Sequence, residues 1–181
     1  MSNPDFDVAA SAKAGISISG FRIFVIWEVF KIMKIRRVVT GHNHEGKGMV
    51  KWDSEIEAIS GRPGFSYVSL WATKQLPAKL TDEDPNTWEI GTNIAGGSVF
   101  RIARYESGVA KRNHQTDSID YAVVLSGEID MQLDEEEVHL KAGDVMIQRG
   151  TMHNWVNHGT EPCIIAFILI ATVGGQSTGW R

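Results

Sequence analysis

A single cysteine, Cys163, among 181 residues leaves no route to an intrachain disulfide; this fits a reducing compartment, and a cytoplasmic location is the expectation. It stands in the apolar run Glu161-Pro-Cys-Ile-Ile-Ala-Phe-Ile-Leu-Ile170, with no histidine or cation beside it to activate the thiol. It reads as a small core residue, not a nucleophile. Positive charge is also in short supply: 18 Lys and Arg against 22 Asp and Glu give a formal net charge of −4. Without a broad basic surface, nucleic acid and anionic membrane are not expected partners. A small-molecule substrate and a second copy of the chain, as a homodimer, are. No apolar run reaches the ~20 residues of a bilayer span, because Arg22, Glu28, Lys31 and Lys34 interrupt the stretch from Ile16 to Ile35. A signal peptide fits poorly too, since Asp5 and Asp7 stand where positive charge is needed.

Helical periodicity is likewise missing after residue 35, and what is present is a succession of short Val/Ile/Phe/Tyr-rich runs divided by Gly, Asn, Asp and Pro. Strands are expected at Arg36–Thr40, Lys47–Asp53, Phe65–Trp71, Ser98–Tyr105, Ile119–Leu125, Ile129–Leu133, Val138–Leu140, Val145–Gln148, His153–Asn157 and Ile164–Ala171. Ile119–Leu125 is apolar at both alternating sets of positions, which predicts a strand sandwiched between two layers. Lys79–Thr87 reads as a polar surface loop and Glu135–Glu137 as a solvated hairpin tip. Many short antiparallel strands with tight turns close as a sandwich or barrel, so the fold class is all-β. The division is an N-terminal extension over residues 1–34, a barrel over 35–172 and a loose tail over 173–181. The apolar part of the extension is expected to pack on the domain, cover a sheet edge or swap between subunits.

Two glycine-punctuated segments carry the chemistry. The first is Gly108-Val-Ala-Lys-Arg-Asn-His114-Gln-Thr116-Asp-Ser-Ile-Asp120 running on to Gly127; the second places Gly143-Asp144, Gly150, His153 and Asn157 in order. At these spacings the chain resembles the cupin superfamily, small jelly-roll β-barrels, over about Val38–Ala171. The wording of Asp117–Asp130 and Gln148–Thr151 is similar to small microbial and fungal cupins associated with secondary metabolism. The resemblance implies a metal held by two histidines and a glutamate of the first segment and the histidine of the second. Here Thr116 replaces the second histidine and Asp120 the glutamate, so the resemblance retains His114, Asp120 and His153 as possible ligands for Fe, Mn or Zn. Such a two-histidine, one-carboxylate face suits non-haem Fe(II) and leaves positions for substrate or oxygen.

The residues also support metal-free chemistry, which is the favoured reading. Histidine titrates nearest neutrality, so His114 and His153 facing one substrate can take a proton from one atom and deliver it to another. Asp120 would then fix the tautomer of one imidazole. For this pair to meet Asp120, the chain must bend at Gln115–Ser118, because six extended residues span ~20 Å. Trp155 shares the face of His153 and supplies an apolar wall, as Ala122 and Val124 share that of Asp120. Thr116 and Asn157 complete the expected substrate contacts, and of Arg101 and Arg104 alternation should turn one inward to grip a carboxylate. His42, His44, His139 and His158 are expected to face water. The combined reading is a lyase or isomerase, dehydrating or decarboxylating a polyketide-like or aromatic acid with no cofactor favoured. An Fe(II)- or Mn(II)-dependent dioxygenase or decarboxylase and a non-catalytic binding module are the alternatives.

Overall fold

Alternation between apolar and polar side chains turns more than half of residues 32–173, which the computed structural model describes, into antiparallel sheet. The expectations for residues 1–31 and 174–181 lie outside the described residues. The strands are β1 (Lys34–His42), β2 (Gly48–Glu57), β3 (Ile59–Arg62), β4 (Phe65–Thr73), β5 (Ser98–Tyr105) and β6 (Ser118–Ser126). There follow β7 (Glu128–Gln132), β8 (Glu137–Lys141), β9 (Val145–Arg149), β10 (Asn154–Val156) and β11 (Cys163–Ala171). Among the described residues the only helical turn is a 3₁₀ turn at Pro85–Thr87, and no helix is long and apolar enough to cross a membrane.

Six strands form one sheet in the order β3-β4-β5-β11-β6-β9, three form a second in the order β10-β7-β8, and β1-β2 is a separate hairpin. Non-consecutive neighbours such as β11 between β5 and β6 mark long crossovers between sheets, the connectivity of a jelly roll. The main core lies between the two sheets. Val99, Ala103 and Tyr105 of β5, Ala122 and Val124 of β6, and Ile165, Phe167 and Leu169 of β11 face Ile129 and Met131 of β7, Leu140 of β8 and Trp155 of β10. Cys163 is buried in the same cluster and burial pushes its thiol up to about 11, which fits the packing role expected of it.

A second, smaller apolar layer lies outside the six-stranded sheet. Met33, Ile35, Ile56 and Ala58, at the open end of the β1–β2 hairpin, cover Val68, Leu70 and Ile102. Buried Arg37 reaches from β1 to grip Asp84 through two parallel bonds of 2.7 and 2.5 Å, anchoring the loop that precedes the 3₁₀ turn. The loop over Lys79–Thr87 is therefore exposed but tethered.

One expectation is corrected by this layering. The inward set of β6, Ser118, Asp120, Ala122 and Val124, is buried, but Tyr121, Val123 and Leu125 are exposed on the other side. The hairpin covers only the β4–β5–β11 side of the outer face, so β6 has one packed layer and not two.

The β6–β7 turn pivots on Gly127, whose φ of +73° belongs to the left-handed region. A Cβ there would meet the carbonyl oxygen of Pro162 at 2.5 Å, whereas Gly143, at φ +94°, has nothing within 4 Å. Both pay the conformational cost of an L side chain, but only Gly127 adds a backbone collision. Gly127→Ala should therefore lower stability by about 2–4 kcal/mol and Gly143→Ala by about 1–2 kcal/mol in urea denaturation.

Candidate functional site

Gly108, at φ +66°, ends the run out of β5, and the segment beyond it does not rejoin a long strand until Ser118. In between, His114 forms a single antiparallel bridge with His153, each backbone N–H donating to the other's carbonyl at 2.9 Å. Directly opposed residues of an antiparallel pair project to the same side. The two imidazoles consequently lie side by side, with ring centroids 4.2 Å apart and planes inclined at 47°. His153 also meets the ring of Trp155 edge-on at 5.9 Å and 82°, and Trp155 continues to Tyr105 and Phe167. The expected meeting of the two histidines and their apolar wall is present.

Backbone carbonyls set the tautomers. The Nδ1 of His114 lies 3.1 Å from the Arg112 carbonyl, and the Nδ1 of His153 lies 2.9 Å from that of Thr151. With Nδ1 protonated, Nε2 is the basic nitrogen of each ring. The Gln148 amide is fixed by accepting from Gly150 N–H at 3.0 Å and donating to the Thr151 carbonyl at 2.7 Å. Its Nε2 also lies 3.0 Å from His153 Nδ1, so it is placed to donate to that atom in the other tautomer. Burial pushes the pKa of both rings down: His114 falls to about 4, mainly through desolvation and then through its neighbour His153, and His153 falls through desolvation. The resting pair is neutral at pH 7.

Asp120 is buried beside this pair's scaffold but does not orient it. Its carboxylate accepts from Ser118 Oγ at 2.5 Å and Thr116 Oγ1 at 3.3 Å, and its strand partners are Gln148 and Leu169. The expected bond from Asp120 to an imidazole is taken by the Arg112 and Thr151 carbonyls instead, because a short side chain finds nearby hydroxyls first. Burial raises the Asp120 pKa, against the two hydroxyl bonds and the charge of Arg101, which lower it. A metal fits these residues poorly. Among the described residues no three His, Cys, Asp or Glu side chains come together as a possible metal group, and Thr116 spends its hydroxyl on Asp120. The face of His114, Asp120 and His153 expected as a ligand set does not form.

The remaining expected residues divide. Arg101 points inward, 8 % exposed, with one guanidinium nitrogen on the Gly91 carbonyl and the group stacked over Tyr67 at 4.9 Å. Its buried Nε has no hydrogen-bond partner, and it makes no ion pair among the described residues. Arg104 turns the other way and pairs with Glu106 at 2.6 Å, which removes it from the site. Asn157 is a structural staple: it donates to the carbonyls of Tyr105 and Glu161 and accepts from Gly159 N–H, leaving nothing for a substrate. His42, His44, His139 and His158 face water as expected. Exposed His139 pairs with Asp130, which raises its pKa.

Sequence reasoning missed three features. Gln148 shares the inner face of β9 through alternation, a signal that was legible. Asn154 accepts from Arg112 N–H at 2.8 Å and donates to Gln132 at 3.0 Å, fixing the segment that carries His114; nothing in its sequence position announces this. The third is a surface depression of about 500 Å³ lined by His153, Met152, Lys111, Asn113, Gln132 and the Asp134–Glu137 turn. It reaches His153 from the surface.

The depressed pKa values couple this site to stability. A folded pKa of about 4 against the ordinary 6.5 means that the unfolded chain binds more protons between those values. The contribution of neutral His114 is thus full above about pH 6.5 and is lost as pH falls toward 4. Asp120, with a raised pKa, acts with the opposite sign: its carboxyl favours the fold at low pH and costs stability as it ionises. Urea melts should show about 2–3 kcal/mol lost to the His114 proton between pH 7 and 4, and His114→Gln should flatten that slope.

Comparison with known proteins finds relatives of this chain. The cupin-domain family Cupin_2 matches residues 99–170. A phomopsin biosynthesis cluster protein of Diaporthe leptostromiformis is 39% identical over 129 residues, covering 64% of this chain and 67% of its own. A cupin-domain-containing oxidoreductase of Aspergillus ruber is 31% identical over 151 residues, 77% of this chain and 73% of its own. Among solved structures, the cupin domain of Schizosaccharomyces pombe Cnp3 aligns with a TM-score of 0.48 and 12% identity over 76% of this chain and 88% of its own.

Proposed function

The chain belongs to the cupin family, and from that premise we propose an enzyme of small-molecule biosynthesis that moves one proton within an organic acid, with His114 and His153 as the acid/base pair. The observation that carries this reading is the buried imidazole pair whose ring centroids lie 4.2 Å apart. Two rings so close in a desolvated setting oppose a second positive charge, so the pair holds one proton at a time. A site that starts proton-free takes a proton from carbon and returns the same proton elsewhere. Isomerisation and dehydration have that balance: in dehydration the proton removed beside a carboxyl or carbonyl leaves with the departing hydroxyl as water. Decarboxylation consumes a proton and fits less well.

The chain's own residues supply the rest. As His153 Nε2 accepts a proton, its Nδ1–H remains bonded to the Thr151 carbonyl, which stabilises the imidazolium. Trp155, packed in the core against Tyr105 and Phe167, backs the His153 ring with a rigid apolar wall. Arg101, a buried cation with an unbonded Nε–H, is the group for the acid's carboxylate. A polyketide-like or aromatic acid matches these features. The biosynthesis-cluster name of the 39%-identical relative supports a role in small-molecule biosynthesis.

A redox reaction is the second reading, favoured by the oxidoreductase name of the Aspergillus ruber relative. The two separate in D₂O with a panel of β-hydroxy and β-keto aromatic acids, read by mass spectrometry. Enzyme-dependent deuterium incorporation or water loss is expected, unchanged by chelator and slowed about 100-fold or more in His153→Gln. Turnover that vanishes with chelator or consumes oxygen would contradict proton transfer. A ligand-dependent thermal shift with no exchange in any substrate would point to a binding module.

A further inference from the structure

Arg101 presents an unused hydrogen-bonding edge on the inner face of β5. Its Nη2 donates to the Gly91 carbonyl, which holds the group in place, while Nε–H is buried with no partner among the described residues. The side chain is 8 % exposed. Asp120, whose charge is felt at Arg101, does not fill the edge, because its oxygens accept from Ser118 and Thr116. A carboxylate from outside the chain would fill it bidentately, through Nε and the second N–H of Nη2.

The strand register shows where that carboxylate would come from. Arg101 lies directly opposite Ser69 of β4, and directly opposed residues of an antiparallel pair project to the same side. Ser69 lines a cavity of about 340 Å³, together with Tyr67 and with Trp88 and Ile90 of the β4–β5 loop. Arg101 stands behind this wall: its guanidinium lies 4.9 Å over the Tyr67 ring, and the carbonyl it holds belongs to the residue after Ile90. Tyr67, Trp88 and Ile90 are half-buried and pack against the main core, so the walls are built before a ligand arrives.

Charge divides the cavity into two ends. Glu55 and Glu57 of β2 form the exposed end, with Glu57 paired to Lys34 at 2.7 Å. Deeper in, each aromatic ring already has a cation over one face: Arg101 over Tyr67, and Lys74, which also reaches Glu83 at 3.5 Å, over Trp88 at 4.0 Å. Another cation is repelled there, and an anion is not.

We propose that this cavity selects the substrate by seating an aromatic monocarboxylic acid, its carboxylate on Arg101, its ring between Tyr67 and Trp88, and a hydroxyl or amino donor at its far end facing Glu55. The proposal rests on the reading of Arg101 as the grip for the substrate's acid group, and adds the residues that choose the rest of the molecule. A second carboxylate at the far end would meet Glu55 and Glu57, so diacids are refused.

Ligand-detected NMR titration of the full chain with three probes of one size tests this. 4-Hydroxybenzoate, of about ten heavy atoms, should bind with a Kd of about 1 mM. 4-Hydroxybenzyl alcohol, which lacks the carboxylate, and terephthalate, which has two, should each bind at least about tenfold more weakly. Arg101→Lys and Trp88→Leu should weaken 4-hydroxybenzoate by a similar factor. Glu55 is exposed, so Glu55→Gln keeps the fold and should narrow the gap between terephthalate and 4-hydroxybenzoate. No binding of 4-hydroxybenzoate, no preference for it over the alcohol, or an unchanged diacid gap in Glu55→Gln would overturn the proposal. Binding with these dependences but no proton exchange in any acid would sink proton transfer and leave this site standing. Turnover of an aromatic acid that is indifferent to Arg101→Lys and Trp88→Leu would do the reverse.

Discussion

The pair of backbone hydrogen bonds between His114 and His153 is the constraint on which the site depends. The two residues come from segments of the chain 39 positions apart, and neither lies in a long strand where a sheet would place it automatically. One bridge sets both side chains on the same side, with ring centroids 4.2 Å apart. Each neighbour supports that bridge: Asn154 holds the backbone of Arg112, Gln148 holds the Gly150–Thr151 corner, and Trp155 packs against the ring of His153. The chemistry follows from the same closeness. Burial and mutual proximity keep the rings neutral, so they act as a base before they can act as an acid.

Alternation and turn chemistry made most of the fold legible. Nearly all the strands fall where Val/Ile-rich runs between Gly and Asp turns predict them, and Gly127, Gly143 and Gly150 all adopt the positive φ that turns require. The motif spacing likewise located His114, His153 and Trp155 on one site. Roles set by local competition were not legible. Asp120 was expected to hold an imidazole, but Ser118 and Thr116 lie two and four residues away and capture it. Asn157 was expected to touch substrate, but it closes the turn to Glu161. Arg101 and Arg104 are three positions apart on one strand, and only the register with β4 and β11 decides which of them enters the core.

The outer face of β6 shows why an apolar run on both sides of a strand does not by itself identify two packed layers. Tyr121, Val123 and Leu125 are as apolar as a buried strand demands, but the hairpin that covers the sheet stops short of them. The same run of sequence thus serves the core with one set of side chains and leaves the other exposed on the outer face of the sheet. This division leaves the inner face free for polar chemistry, since Asp120 and Ala122 alternate with residues that never enter the barrel.

Histidine-selective ¹⁵N NMR between pH 3.5 and 8 tests the central claim most directly, because it reads the protonation of each ring in the folded chain without knowledge of the substrate. His114 should stay neutral until about pH 4, with Nδ1 carrying the proton, and His153 should also titrate below the ordinary histidine range. Titration of either ring at 6.5 or above, with no response of one ring to the other, would contradict a desolvated pair sharing a single proton.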